Sequence, residues 1–209
     1  MTGIIIVDIQ GDFTQLMNGP LAVPGTNLDY IHKLQKEIDR LKGLGYLLWA
    51  SQDWHPADHI SFVTNHPGKK IFDRISVSGR EQILWPPHCL QDTSGAELLM
   101  DTTGFEGVIR KGQDPGYDSY SVFQDEGGQE TELLTLLKEK GIRKLVLFGI
   151  ATDYCVLATA LDARKRRFET MVVTGFCRGV SQETTEKALR EMQISGVVLV
   201  ENLDSLLGQ

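Results

Sequence analysis

Six short apolar runs, at residues 3–9, 46–51, 105–111, 144–148, 170–174 and 196–200, punctuate this chain, and stretches of helical periodicity separate most of them. The first run, Gly3, Ile4, Ile5, Ile6, Val7, Asp8, Ile9, is apolar at odd and even positions alike. A strand with that pattern is covered on both faces, which is how parallel strands are built. Between the first two runs, Leu28, Ile31, Leu34, Ile38 and Leu41 fall at three- and four-residue spacing and stop at Gly43, Leu44 and Gly45, the signature of an amphipathic helix with a glycine end. Leu133, Leu134, Leu136 and Leu137 before Gly141, and the stretch 182–194, predict two further helices. Strands joined through helices pair in parallel by right-handed crossovers. The expected class is therefore α/β, a three-layer sandwich with a mainly parallel central sheet and helices on both faces.

At 209 residues the chain is long enough for one sizeable core. No linker, repeat or low-complexity stretch divides it, so a single domain over residues 1–209 is expected. The 28 acidic residues outnumber the 21 basic ones, giving a net charge of −7. The one basic cluster, Arg164, Lys165, Arg166 and Arg167, ends a predicted helix, where cations complement the dipole. Nucleic acid is not an expected partner. No apolar run approaches the about 18 residues that span a bilayer, and the N-terminus lacks a basic region or cleavage site, so neither membrane nor export is expected. Three cysteines, Cys89, Cys155 and Cys177, form no disulfide framework, which suits a reducing, cytoplasmic setting. Nothing here fixes the oligomeric state, and a homo-oligomer is compatible with it.

The ends of the runs carry the chemistry. Asp8 closes the first, Asp53 follows the second, Lys111 closes the third, and Cys155 lies where the fourth gives way to a predicted helix. In an open parallel sheet these ends face one crevice, where ligands bind. A cysteine at a helix N-terminus has unpaired N–H groups and a positive dipole end beside it, which favour a thiolate and can hold an oxyanion. Cys177 also follows a strand, but through a glycine-rich turn, and ranks below Cys155.

Asp53, Trp54, His55, Pro56, Ala57, Asp58 and His59 gather a carboxylate and two imidazoles in seven residues, and Trp85, Pro86, Pro87, His88 adds a third imidazole in a stiff loop. Such a mixed nitrogen and oxygen set suits one divalent transition metal, Zn, Fe or Mn alike. Residues 60–104 have few periodic segments and predict a long, functional loop.

With Asp8, Lys111 and Cys155 on one edge, a thiolate can attack a carboxamide while Asp8 carries its proton to a leaving amine. The N–H groups at Ala151 and Cys155 would hold the oxyanion. A neighbouring metal could instead activate water, with Cys155 as packing, or anchor the substrate.

The stretches Asp8-Ile9-Gln10-Gly11-Asp12-Phe13, Asp53 to His59, Trp85 to Cys89, Lys111-Gly112 and Gly149-Ile150-Ala151-Thr152-Asp153-Tyr154-Cys155-Val156 resemble, in order, the nicotinamidase/pyrazinamidase branch of the isochorismatase-like cysteine hydrolases. The resemblance implies hydrolysis of nicotinamide to nicotinate and ammonia in NAD salvage, with pyrazinamide as a further substrate. It implies Asp8, Lys111 and Cys155 as the triad and Asp53, His55, His59 and His88 as ligands of a metal that grips the pyridine nitrogen. It also implies a cis peptide between Ile150 and Ala151, and Phe13, Trp85 and Tyr120 against the substrate ring. Gly11 stands where that branch has Asn or Asp, and Gly175-Phe176 also departs from its pattern. A related amidase acting on another small amide is the alternative within the superfamily.

Overall fold

A computed structural model describes residues 1–77 and 79–204. Six parallel strands form the central sheet: β1 (Thr2–Val7), β2 (Leu47–Asp53), β5 (Gly107–Lys111), β6 (Lys144–Gly149), β7 (Glu169–Val173) and β8 (Val198–Val200). Two shorter strands, β3 (Arg74–Val77) and β4 (Arg80–Ile83), pair antiparallel as a separate hairpin. The helices are α1 (Leu28–Gly43), α2 (Leu133–Glu139), α3 (Leu157–Lys165) and α4 (Gln182–Ile194). The hairpin and short 3-10 turns give structure to the span 60–104 that the sequence reads as irregular. Among the described residues no helix is long and apolar enough to cross a membrane.

The sheet order is β5-β2-β1-β6-β7-β8. The chain thus steps from β1 outward through α1 to β2, then returns to β6 and steps the opposite way through α3 and α4. Right-handed crossovers running in opposite directions put their helices on opposite faces, which yields the three-layer sandwich. The order reverses between β1 and β6, and a crevice opens at such a reversal, beyond the strand ends. Asp8 follows β1 there, and the Cys155 turn follows β6.

The centre of the core is the pair of adjacent strands at that reversal. Ile4, Ile5, Ile6 and Val7 of β1 and Leu145, Val146, Leu147 and Phe148 of β6 are all fully buried. α1 lays Ile31, Leu34, Ile38 and Leu41 on the sheet, starts under an Asn27 side chain that accepts from the Tyr30 N–H, and buries Tyr30 as well. Gly149 marks where β6 must stop. Its φ is +140°, and a Cβ there would sit 2.1 Å from the Val7 carbonyl oxygen, so only glycine lets the two strands stay paired.

Candidate active site

Strand register sets up the polar cluster. Asp53 and Lys111 are paired neighbours in β2 and β5, so both side chains leave the sheet on the same side. The Lys111 ammonium forms an ion pair with Asp53 Oδ1, lies 3.0 Å from Asp8 Oδ2, and donates to the Ser119 carbonyl at 2.9 Å and to Cys155 Sγ at 3.5 Å. Asp8, with φ of +47°, turns its carboxylate back over the strand end, where Oδ1 accepts from Ser51 Oγ at 2.6 Å. The predicted triad of Asp8, Lys111 and Cys155 is brought together, all three buried. Lys111 serves both carboxylates, which sequence reasoning did not foresee.

The electrostatics of the cluster are dominated by burial. Burial pushes the Cys155 thiol well above its ordinary range; Lys111 pulls it down, and the nearby Asp8 and Asp53 push it up again. Burial thus favours the thiol, and a base such as Asp8 beside it is what forming the nucleophile calls for. Burial also raises Asp8 above the usual carboxylate range, against the pull of Lys111, and a raised carboxyl is suited to taking and returning a proton near neutrality. For Asp53 burial is outweighed by Lys111 and His55, which hold it well below that range. Lys111 stays charged because the two carboxylates more than offset its burial.

The local backbone at Cys155 also differs from the expected α-helix start. Thr152–Val156 forms one π-helical turn that runs directly into α3. The Ile150–Ala151 peptide is cis, as the family resemblance implies. The turn is secured from outside: the Thr152 N–H donates to the Arg178 carbonyl and the Arg178 N–H to that of Gly149. Ala151 and Cys155 both line the cavity, and among the described residues the Ala151 N–H has no acceptor. Two amides at the cavity wall are what an oxyanion needs.

Of the four expected metal ligands, three converge. One donor atom from each of Asp53, His55 and His88 lies within 4.8 Å of the others. Each imidazole of that set is turned by its Nδ1: His55 to the Gly112 carbonyl at 2.8 Å and His88 to that of Pro86 at 2.8 Å. Both Nε2 atoms are thereby presented to the shared space, the outer-sphere arrangement that metal-binding histidines use. Gly112 is required beside His55, since a Cβ at its φ of +66° would lie 2.3 Å from that ring. Burial and the neighbouring His55 lower His88 to about 4, so its ring is neutral and carries a lone pair, while Asp53 raises His55 against its burial. The donor set fits a divalent transition ion. His59 stands 4.3 Å from His55, centroid to centroid, but falls outside the converging set: Ser61 Oγ holds its Nδ1 at 2.7 Å and the Tyr117 carbonyl its Nε2 at 3.2 Å.

A cavity of about 210 Å³ opens onto this cluster. It is smaller than the about 300 Å³ at which drug-sized ligands begin, so it suits a single-ring molecule. Phe13, Trp85 and Tyr120 line it as expected, with Trp85 Nε1 donating to the Tyr120 hydroxyl at 3.1 Å. The sequence missed Tyr154, Phe72 and Asp118 in that lining. Tyr154 had a signal, an aromatic directly before the cysteine, whereas Phe72 lay in the span read as irregular. Cys177 lines a different pocket with Arg178 and Thr185, away from Lys111.

Gln10 was likewise not singled out by its chemistry. Fully buried, it donates through Nε2 to the carbonyls of Asp53 and Ala96 and accepts through Oε1 from the Asp53 N–H, all at 2.8 Å. The side chain extends β1 by one rung and fixes Asp53, which serves both Lys111 and the histidines. Gln10→Leu is expected to lower unfolding free energy by about 2–4 kcal/mol in urea titration, because each buried group left unpartnered costs about 1–3 kcal/mol.

Comparison with known proteins agrees with this geometry. A family model described as the isochorismatase domain matches residues 2–202. The nicotinamidase of Escherichia coli (strain K12) is 38% identical over 203 residues, covering 94% of this chain and 92% of its own. A solved Acinetobacter baumanii nicotinamidase/pyrazinamidase superposes with a TM-score of 0.87 at 38% identity, covering 98% of this chain and 97% of that one. The pyrazinamidase of Pyrococcus horikoshii, solved in complex with zinc, has a TM-score of 0.80 at 36% identity, covering 96% and 99%.

Proposed function

This chain belongs to the isochorismatase family, and we propose that within it the protein is a nicotinamidase working through a cysteine thioester. The observation that carries the mechanism is the buried cluster in which one ammonium, Lys111, meets Asp8, Asp53 and the Cys155 sulfur.

The ring of nicotinamide enters between Phe13, Trp85, Tyr120 and Tyr154 with its carboxamide toward Cys155. Asp8 takes the thiol proton as Sγ attacks the carboxamide carbon, and Lys111 steadies the negative charge that passes between sulfur and carboxylate. The N–H groups of Ala151 and Cys155 hold the oxygen as it becomes an oxyanion. Asp8 returns the proton to the amide nitrogen, the C–N bond breaks, and ammonia leaves a thioester on Cys155. Water then attacks the thioester carbon, giving one proton to Asp8; the C–S bond breaks, that proton returns to sulfur, and the acid leaves as nicotinate, its own proton passing to solvent or to the ammonia. A divalent transition ion held by Asp53, His55 and His88, with His59 beside them, would supply a Lewis acid to anchor the ring nitrogen. Three buried, unpaired thiols support a cytoplasmic setting, and we read residues 1–209 as one domain.

The test is ammonia release from nicotinamide and pyrazinamide by the purified protein, with mass spectrometry of quenched turnover for an acyl group on Cys155. Chelation followed by dialysis is expected to raise KM by about tenfold or more, equivalent to about 1.4 kcal/mol of binding, with a smaller fall in kcat, and zinc is expected to restore it. If the ion activated water directly, chelation would instead abolish turnover and no acyl adduct would form.

A further inference from the structure

We propose that Phe72 determines which ring substituents this enzyme accepts, an inference that rests on the amidase reading above. The floor of the cavity, Asp53, His88, Ala151 and Cys155, is no more than 8% exposed. The floor meets the carboxamide and the ring atoms nearest it, so discrimination among substituents added at the far side of the ring falls to the rim. The exposed members of the lining mark the mouth, and there Phe72 is 62% exposed and Val180 44%.

Phe72 is held at that mouth against its own preferences. Its φ is +70°, a region that bulky residues avoid, and its ring gains little from burial. Backbone outliers of this kind gather at ligand clamps and active sites. The segment is fastened to the residue before Trp85: the Phe72 N–H donates to the Leu84 carbonyl at 2.6 Å, the Leu84 N–H to the Asp73 carbonyl at 2.8 Å, and Asp73 Oδ2 accepts from the Lys70 N–H at 2.9 Å. The ring therefore meets Trp85 edge to face, at 5.7 Å and 87°, and Trp85 meets Tyr154 the same way at 5.2 Å and 84°. Phe72 is the most exposed member of an aromatic wall that runs through the buried Trp85 to Tyr154, the residue before the nucleophile. A substituent that leaves the cavity along this wall passes it.

The experiment compares wild type, Phe72→Ala and Phe72→Leu, all metal-loaded, on nicotinamide and on a fused-ring quinoline carboxamide. In Phe72→Ala the KM for nicotinamide should rise about tenfold with a smaller change in kcat. The ratio of kcat/KM for the fused-ring amide to that for nicotinamide should rise at least about tenfold, the scale on which an apolar pocket discriminates by size. Phe72→Leu should fall between, and it decides the matter if the alanine variant does not fold. An unmoved ratio in an enzyme whose wild type hydrolyses nicotinamide overturns this inference alone. A wild type that releases no ammonia from nicotinamide overturns the amidase reading, and the inference with it.

Discussion

Cys155→Ala is expected to lose ammonia release from nicotinamide by a factor of about 10⁴–10⁶, the loss seen when a nucleophile that works with a base is removed. The size of the effect follows from what remains. Asp8 and Lys111 stay paired at 3.0 Å, but without sulfur the base has no proton to take and no acyl group can form. Folding should persist. The Cys155 side chain borders open cavity, so its loss creates little new void, and a stability change within about 1 kcal/mol is expected by urea titration. The mass adduct should vanish with activity. A Cys155→Ala protein that still hydrolyses nicotinamide would return the chemistry to the ion and make the cysteine mere packing.

Much of this site could be read from the chain because its strands are short, apolar and end in charged residues. Asp8, Asp53, Lys111 and Cys155 each close a run or follow one, and a parallel sheet leaves such ends on a common edge. The spacing Asp53, His55, His59 indicated a metal site for a similar reason, since nearby residues at a strand end have few places to go. What escaped reading depends on the third dimension. Whether His59 or only His55 and His88 reach a shared centre is decided by Ser61 and by the Tyr117 carbonyl, neither of which has a sequence signature. The pull of Lys111 and of the turn on the thiol is visible in sequence, whereas the burial that opposes it is not. Phe72 is held by a backbone hydrogen bond to a residue 12 positions away and Gln10 by side-chain hydrogen bonds to the backbone 43 positions away, and periodicity has no means of reporting those.

Lys111→Met should be the most damaging single change to both activity and stability, because this lysine answers two carboxylates at once. Asp8 and Asp53 are each buried, and one oxygen of each lies within 4.8 Å of the other and of the sulfur. Removing one partner of a buried ion pair costs about 3–5 kcal/mol, since it leaves a charge without solvent or counterion. Here two carboxylates lose the same cation, so the variant must take up a proton to fold. That requirement gives the loss a definite pH dependence. Burial alone raises both carboxyls, and the ammonium is the largest influence opposing it. Without Lys111 the folded pKa of Asp8, already raised, rises further, and Asp53 loses the largest influence holding it down. The stability a raised group contributes is present at low pH and lost as pH climbs through its folded pKa. The deficit of Lys111→Met relative to wild type, both metal-free, should therefore be larger at about pH 7.5 than at about pH 5, where protons replace the lost ammonium. Urea titrations at the two pH values measure it, and a deficit that is equal at both would mean that the two carboxylates do not depend on Lys111. Activity should not recover at the lower pH, because the proton that rescues folding occupies the base: a protonated Asp8 cannot take the proton of Cys155.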